Sequence, residues 1–190
     1  MKTLALNILD IVQNSIRAEA DEITISINES VRDDLYQIMI EDNGNGIPED
    51  ILKNVTDPFV TTRTRRRMGL GLPLLKYHAE ITGGSIEIKS DKSRGTVVKA
   101  DFSNKHIDRQ PLGDIAGVIR ILIASNPGLE FYYNHTTDHD RYSFSTKETK
   151  EFLETKTLAS NSLLQDIAEM INGNLTEISV SGLDIKAKAV

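Results

Sequence analysis

The chain has 190 residues, of which 39% are hydrophobic and 26% charged, and its formal net charge at pH 7 is -6. This is the composition of a folded globular protein. The chain contains no cysteine, which excludes a disulfide scaffold and a cysteine-ligated zinc site. Because the chain is acidic and no apolar run reaches membrane-spanning length, we expect a cytoplasmic protein that binds neither nucleic acid nor membrane.

The first predicted element is an amphipathic helix over residues 3–18. Apolar side chains recur at helical spacing, and a second stripe of the same helix is polar: Asn7, Asp10, Asn14, Arg17 and Asp21. A solvated surface is the simplest explanation of such a stripe. The functional alternative rests on chemistry. The amide of Asn14 can ligate Mg²⁺, Arg17 can reach a phosphate, and Asp10 can orient or deprotonate a nucleophile.

Two strands are predicted next, over residues 23–27 and 35–42, and the second leads into the sequence DNGNGIPED. Asp42 at the strand end can accept a hydrogen bond from an amine. Gly44 and Gly46 allow a sharp turn and a close approach of the backbone to a flat ligand. Turns use Asp, Asn and Gly for geometric reasons as well, so both interpretations stay open. A short helix is predicted at PEDILKNV.

The segment TTRTRRRMGLGLPLLK, residues 61–76, joins a cationic loop to a helix. It contains Arg63, Arg65, Arg66 and Arg67, followed by Gly69-Leu70-Gly71 at the predicted helix start. Guanidinium groups suit phosphate, and a helix N-terminus offers unpaired N–H groups and the positive end of the helix dipole. A glycine hinge is the alternative. The combination predicts a site for the phosphate tail of a nucleotide.

Gly83-Gly84 should end this helix. Residues 85–90 and 95–102 are predicted to form an antiparallel pair of strands joined through DKSR. We predict that residues 103–111 form a linker between a domain over residues 1–102 and a C-terminal module over residues 112–190. In the module we predict a helix at DIAGVIRILIASN, strands at LEFYYNH and RYSFST, and helices over 146–155 and 160–172 with Gly173 as the stop. LEFYYNH suits a core strand, a partner groove or a completing sheet edge, and core is favoured.

Five segments resemble, in order and spacing, the conserved boxes of the GHKL ATPases, the superfamily of DNA gyrase, MutL, the heat-shock chaperone ATPases and the histidine kinases. They are DIVQNSIRAEA, DNGNGIP, DPFVTTR, MGLGLPLLK and RGTVVKADF, within residues 4–102. The resemblance implies the Bergerat fold, an α/β sandwich in which ATP and Mg²⁺ lie between the helices that pack on the sheet and a mobile lid. The module over 112–190 is expected to be a small α/β unit.

The resemblance also implies roles for individual residues. Asn14 would bind magnesium, Asp42 would accept the adenine amine, and Thr96 would support that contact through water. Asp10 would be the catalytic base. The remaining nucleotide-binding residues are expected to shape the pocket, to line the base of the lid or to face the phosphates: Arg17, Gly44, Gly46, Phe59, Arg63, Gly69 and Gly71.

Some features depart from the histidine-kinase pattern. No phosphoacceptor helix precedes the first helix, and no histidine sits in a phosphoacceptor motif, so self-phosphorylation is not expected. The lid between Phe59 and Gly69 is short. Asp10 is acidic, as in the hydrolases and the anti-sigma serine kinases of the superfamily, which have glutamate there. Arg17 instead matches the histidine kinases.

Three functions therefore compete. The favoured one is a Mg-ATP-dependent ATPase coupled to a partner protein. The alternatives are a protein kinase that phosphorylates a partner in trans and a non-catalytic module that binds a partner when ATP is bound. A phosphate-binding protein without a nucleotide would leave Asp42, Asn14 and Thr96 unexplained. The opening helix also resembles ATPase subunits of iron-only hydrogenase systems, which suggests a partner but no chemistry.

Overall fold

The computed structural model describes residues 2–57 and 70–187, with side chains described to residue 179. Helices and strands follow the predicted order. The bounds are α1 Leu4–Arg17, β1 Glu22–Ser30, β2 Leu35–Asp42, α2 Glu49–Leu52, α3 Gly71–Glu80, β3 Ser85–Asp91, β4 Gly95–Ser103, α4 Ile115–Ser125, β5 Glu130–Thr137, β6 Arg141–Ser145, α5 Thr146–Phe152 and α6 Asn161–Ala187.

The strands form one sheet of six in the order β3-β4-β2-β1-β5-β6. Strands β1 and β5 are parallel, whereas the other neighbouring pairs are antiparallel. Strand β1 shows why the sheet has two unlike faces: its isoleucines at 23, 25 and 27 are buried, while the residues between them are partly exposed. Helices α1, α3, α4 and α6 contribute buried side chains to the core on the apolar face. The result is an α/β sandwich of two layers, as predicted.

Helix α1 lies at the centre of the helical layer and contacts both α3 and α4. Its first N–H groups, which no helical carbonyl can satisfy, are taken by the chain that follows β4: Leu4 N donates to Pro111 O and Ala5 N to Leu112 O. Asn7 belongs to the polar stripe predicted for α1, but it is fully buried, and its side chain donates to Gln110 Oε1 at 3.0 Å. The predicted linker therefore packs on α1, and the division into two domains stays a prediction.

Strand β5 joins the sheet beside β1, with Tyr133 paired to Ile25. Phe131 and Tyr133 point into the core and are buried. The favoured interpretation of LEFYYNH as a core strand is therefore confirmed for these side chains. Because β5 and β6 extend the sheet that contains β1 and β2, residues after the predicted linker share its hydrophobic core.

Helix α6 corrects one prediction, since it does not stop at Gly173 but continues to Ala187. A glycine inside a helix costs only about 1 kcal/mol relative to alanine. The buried side chains of Ile171 and Ile178 lie on either side of it and hold the helix against the protein. Tertiary packing thus overrides the local signal. A helix suited to crossing a lipid bilayer is not found among residues 2–57 and 70–187.

Candidate functional site

The carboxylate of Asp42, at the end of β2, accepts three hydrogen bonds from the protein. Oδ1 accepts the backbone N–H groups of Gly44 at 3.0 Å and Thr96 at 3.2 Å. Oδ2 accepts the hydroxyl of Ser15 at 2.5 Å. Each carboxylate oxygen has two lone pairs. Among the described residues Oδ1 is therefore saturated, whereas Oδ2 keeps one lone pair for a further donor.

Ser15 is a site residue that the sequence reasoning missed. It follows Asn14 directly but faces the sheet, where it is buried and links α1 to β2. The available signal was its place on the apolar face, beside Ile11 and Val12. A buried hydroxyl nearly always has a hydrogen-bond partner, so a serine on that face predicts a polar contact inside the protein.

The loop after Asp42 is packed tightly between α1 and the turn of β3 and β4. Asn45 N donates to Ala18 O at 2.7 Å. A Cβ added at Gly44 would lie 2.6 Å from Ala18 O, and one at Gly46, where φ is +68°, would lie 2.6 Å from Asp91 O. Both glycines are thus required by contacts within the protein. Their role in shaping a ligand pocket stays a prediction.

Asp10 lies against the start of α3. A Cβ added at Gly71 would overlap with Asp10 Oδ2, so the absence of a side chain at Gly71 is what lets the carboxylate lie there. The first N–H groups of a helix have no partner within the helix, and the positive end of the helix dipole favours a negative charge. The structure therefore brings the predicted catalytic carboxylate to the predicted phosphate-binding helix end.

Asn14 and Arg17 also contact each other. Arg17 NH1 donates to Asn14 Oδ1 at 2.7 Å, and the guanidinium is exposed. The amide oxygen has two lone pairs, but the guanidinium charge beside it would repel a magnesium ion, which favours an exchange of the two. The exchange is feasible because an exposed arginine can turn, and a phosphate oxygen would give it a stronger, charged acceptor. The amide oxygen of Asn14 thus suits Mg²⁺ as a hard oxygen ligand, provided that Arg17 moves.

Thr96 lies directly opposite Asp42 in the antiparallel pair of β2 and β4, so both side chains point to the same face. Thr96 is buried, and its hydroxyl lies 2.9 Å from Ser90 Oγ. Ser90 on β3 is the second residue that sequence reasoning missed. It falls outside all five motif segments.

The described site residues form two neighbouring groups joined by α1. One group contains Asp42, Gly44 and Thr96 at the end of the sheet, and the other places Asp10 beside Gly71. Asn14 is next in sequence to Ser15 and one turn, about 6 Å along the axis, from Asp10. Phe59, Arg63 and Gly69, with the other lid arginines, lie outside the described residues.

Comparison with known proteins adds the family. Residues 2–106 match the model of the histidine kinase-, DNA gyrase B- and HSP90-like ATPases. The chain belongs to this family. Family membership makes residues 2–106 an ATP-binding domain of the GHKL superfamily, and the resemblance carried by the five motif segments is confirmed.

Several similar proteins are kinases or sensors. Sporulation kinase D of Bacillus subtilis is 37% identical over 93 residues, which are 48% of this chain and 18% of that protein. Sporulation kinase A of the same organism is 29% identical over 97 residues, 51% of this chain and 16% of that protein. Sensor protein KdpD of Clostridium acetobutylicum is 34% identical over 104 residues, 52% of this chain and 11% of that protein. The chain therefore spans less than a fifth of the length of these relatives.

Two solved structures are also similar. The crystal structure of full-length ShkA in complex with AMPPNP superposes with a TM-score of 0.43 and 18% identity, covering 51% of this chain and 20% of that one. The N-terminal domain of a DNA repair protein superposes with a TM-score of 0.49 and 17% identity, covering 77% of this chain and 53% of that one.

Proposed function

We propose that this protein is a Mg²⁺-dependent ATPase whose nucleotide state is coupled to a partner protein. The observation that carries the proposal is the Asp42 carboxylate, which is held by three protein donors and keeps one acceptor position on Oδ2. The exocyclic amine of adenine is the group that this position suits. Guanine has a carbonyl at the corresponding place and would be repelled.

The carboxylate is held in place by the protein itself. Ser15, Gly44 and Thr96 come from three different segments, and each donates one hydrogen bond to the carboxylate. Binding therefore requires little reordering of Asp42, which favours affinity. The same arrangement gives selectivity, since both oxygens of the carboxylate are acceptors and neither can donate to the carbonyl of guanine.

Hydrolysis is assigned to the second group of residues. Phosphates bind readily at a helix N-terminus, so the start of α3 suits the phosphate tail. When bound beside Asn14 and Asp10, Mg²⁺ would neutralise phosphate charge and polarise a phosphoryl oxygen. Asp10 acts as the general base: it accepts a proton from water, the water oxygen bonds to the terminal phosphorus, and the bond from that phosphorus to the ADP oxygen breaks.

Coupling to a partner is supported by hydrogen bonds that join the loop after Asp42 to the C-terminal half. Asn43 Oδ1 accepts the N–H groups of Asp21 and Glu22, each at 3.0 Å. Glu130 N, at the start of β5, donates to Asp21 O at 2.8 Å. The Glu130 carboxylate then accepts from Lys150 of α5 at 2.8 Å. These contacts connect the loop after Asp42 to α5 through Asp21 and Glu130.

A protein kinase acting in trans is the second candidate. Two of the relatives named above are kinases, and Arg17 provides the basic residue that the sequence resemblance associates with histidine kinases. In a kinase, the acceptor side chain of a partner would replace the attacking water. Asp10 would then accept the proton of that side chain.

Purified wild-type protein tests both candidates. Calorimetry with ATP and GTP, with and without magnesium, measures binding and base selectivity. Release of phosphate from radiolabelled ATP measures hydrolysis, and proteins captured with and without ATP are then tested for transferred label. Asp10→Asn should leave ATP affinity nearly unchanged and reduce turnover about 10²–10⁴-fold. A protein that binds ATP but neither hydrolyses nor transfers phosphate would be a binding module, and the enzymatic proposal would fail.

A further inference from the structure

Three asparagines of the chain are followed directly by glycine: Asn43, Asn45 and Asn172. An asparagine in this position can lose its amide spontaneously, because the backbone nitrogen of the next residue attacks the side-chain carbon. Glycine has no side chain to obstruct that approach. Since the dipeptide is the same at all three places, the folded structure decides which of them reacts.

Asn172 is protected by helix α6. It lies with Gly173 inside the helix, where each backbone N–H bonds to the carbonyl four residues earlier. The nitrogen of Gly173 is therefore committed to the helix. The carbonyl of Asn172 also accepts the hydroxyl of Thr176 at 2.9 Å. The reaction at this position requires local unwinding of α6.

Asn43 is protected by hydrogen bonds to the start of β1. Its Oδ1 accepts the N–H groups of Asp21 and Glu22, each at 3.0 Å. Its Nδ2 donates to Asp21 Oδ1 at 2.6 Å. The attacking group is engaged as well, since Gly44 N donates to Asp42 Oδ1 at 3.0 Å. Four hydrogen bonds must therefore break before Gly44 N can bond to Asn43 Cγ.

Asn45 is held much less firmly. Within residues 2–57 and 70–187 its side chain makes one hydrogen bond, from Nδ2 to Glu19 Oε2 at 2.8 Å, and the N–H of Gly46 has no acceptor. Asn43 and Asn45 are both exposed, so access of water does not distinguish them. The difference between them lies in the hydrogen bonds that hold the reacting groups.

We propose that Asn45 is a site of spontaneous deamidation, and that the fold directs the reaction to it rather than to Asn43 or Asn172. Gly46 N bonds to Asn45 Cγ, the bond from Cγ to Nδ2 breaks, and Nδ2 leaves as ammonia with the proton of the Gly46 amide. Water, the only co-reactant, then opens the resulting succinimide at either carbonyl. The products are aspartate and isoaspartate at position 45. The reaction requires no nucleotide, so this inference is independent of the proposed function.

The modification changes the loop after Asp42 in two ways. Both products add a carboxylate beside Glu19 in place of the amide donor, so two negative charges lie close together. Isoaspartate also lengthens the backbone, because the chain then runs through the side-chain carbon. The loop is tightly packed at this point, since a Cβ added at Gly46 would lie 2.6 Å from Asp91 O. The converted protein should therefore melt at a lower temperature than the unmodified protein.

The first test follows the three asparagines while the wild-type protein is incubated at mildly alkaline pH. Peptide mass spectrometry locates each conversion of amide to acid, and enzymatic methylation measures isoaspartate. Asn43 must break three more hydrogen bonds than Asn45. One hydrogen bond is worth a factor of about 2 to 10, so Asn43 should convert about 10- to 10³-fold more slowly. In urea, which unfolds the protein, the three positions should convert at similar rates.

Variants test whether the named hydrogen bonds give the protection. Glu19→Ala removes the acceptor of Asn45 Nδ2 and should speed conversion there about 2- to 10-fold. Asp21→Ala should do the same for Asn43. The matched control is Glu22→Ala, which should change neither rate, because Glu22 bonds to Asn43 through its backbone. Asn45→Gln keeps an amide on a longer side chain and should remove conversion at this position.

Equal rates at Asn43 and Asn45 in the folded protein would overturn the inference. It would also fail if Asn45 converted in urea but stayed intact in the folded protein. Converted protein separated by anion exchange, and the variant Asn45→Asp, should both melt at a lower temperature than the wild-type protein; unchanged melting would overturn the predicted effect on the loop. Calorimetry with ATP separates the two proposals, because a protein that binds no ATP would refute the proposed function and leave the conversion of Asn45 standing.

Discussion

Asp42→Asn tests the adenine contact most directly, because the structure determines which atom changes. Oδ1 accepts the N–H groups of Gly44 and Thr96, so the amide oxygen of the variant must take that place. The amide nitrogen then occupies the position of Oδ2, where it meets Ser15 Oγ and the proposed adenine amine. Ser15 can turn its hydroxyl and accept instead of donating. The adenine amine cannot, so two donors face each other.

We expect the affinity for ATP to fall about 5- to 150-fold, because an unsatisfied buried group costs about 1–3 kcal/mol and each 1.4 kcal/mol is a factor of ten. GTP should gain affinity, since its carbonyl can accept from the new amide nitrogen. Calorimetry of both nucleotides in the presence of magnesium measures the two changes. Opposite changes are the signature of a direct base contact, because general damage to the site would weaken both.

The matched control is Asp101→Asn on the neighbouring strand β4. Asp101 lies on the other face of the sheet and accepts from Gln37 Nε2 at 2.8 Å. Its replacement removes the same charge without touching the site, so nucleotide affinities should stay unchanged. If Asp42→Asn binds ATP as tightly as the wild-type protein does, with an unchanged melting temperature, then Asp42 is a loop-forming residue and the adenine assignment is wrong.

Three further predictions concern the metal, the catalytic carboxylate and the fold. Asn14→Ala should remove the dependence of ATP binding on magnesium. An unchanged dependence in calorimetry would mean that Asn14 is only part of the solvated polar stripe of α1. Gly71→Ala should reduce ATP turnover about 10²-fold, because its Cβ displaces Asp10 Oδ2; unchanged phosphate release would show that the position of Asp10 is unimportant. Hydrogen bonds, first that from the Ser30 hydroxyl, lower the pKa of Asp138 from its ordinary 3.8 to about 2. The stabilisation that the ionised Asp138 gives the folded protein is therefore fully present at pH values above the ordinary pKa of 3.8, and it is lost as the pH falls through about 2. Asp138→Asn should melt at a lower temperature than the wild-type protein at neutral pH, and the difference should vanish near pH 2; a constant difference would contradict the assignment.

Sequence periodicity predicted the helices and strands well, but it could not determine which strands are neighbours. Strand β5 lies beside β1, although paired residues such as Ile25 and Tyr133 are 108 positions apart along the chain. The sequence of neither strand specifies which strand lies beside it, since alternating apolar residues suit any neighbour in the sheet. The resemblance of the motif segments therefore predicted the ATP-binding half, whereas the continuation of its sheet into residues 112–190 required the structure.

The two missed serines have different causes. Ser15 was overlooked because it adjoins Asn14 in a segment already explained by its polar stripe, although its position on the apolar face was visible in the sequence. Ser90 was missed because the sequence did not determine the register of the hairpin formed by β3 and β4. A four-residue turn at DKSR would pair Ser90 with Gly95, whereas the structure pairs Asp91 with Gly95 and Ser90 with Thr96. A shift of one residue reverses the face of every side chain, so the contact with Thr96 was not predictable.

We propose that the contact between Arg17 and Asn14 couples the binding of the metal to the binding of the phosphate. The guanidinium donates to the amide oxygen that we assign to magnesium. A metal at this oxygen releases Arg17, and a released Arg17 can pair with phosphate. Bound phosphate in turn draws Arg17 away and opens the oxygen to the metal. Coupling of this kind is reciprocal: magnesium strengthens ATP binding by the same factor by which ATP strengthens magnesium binding.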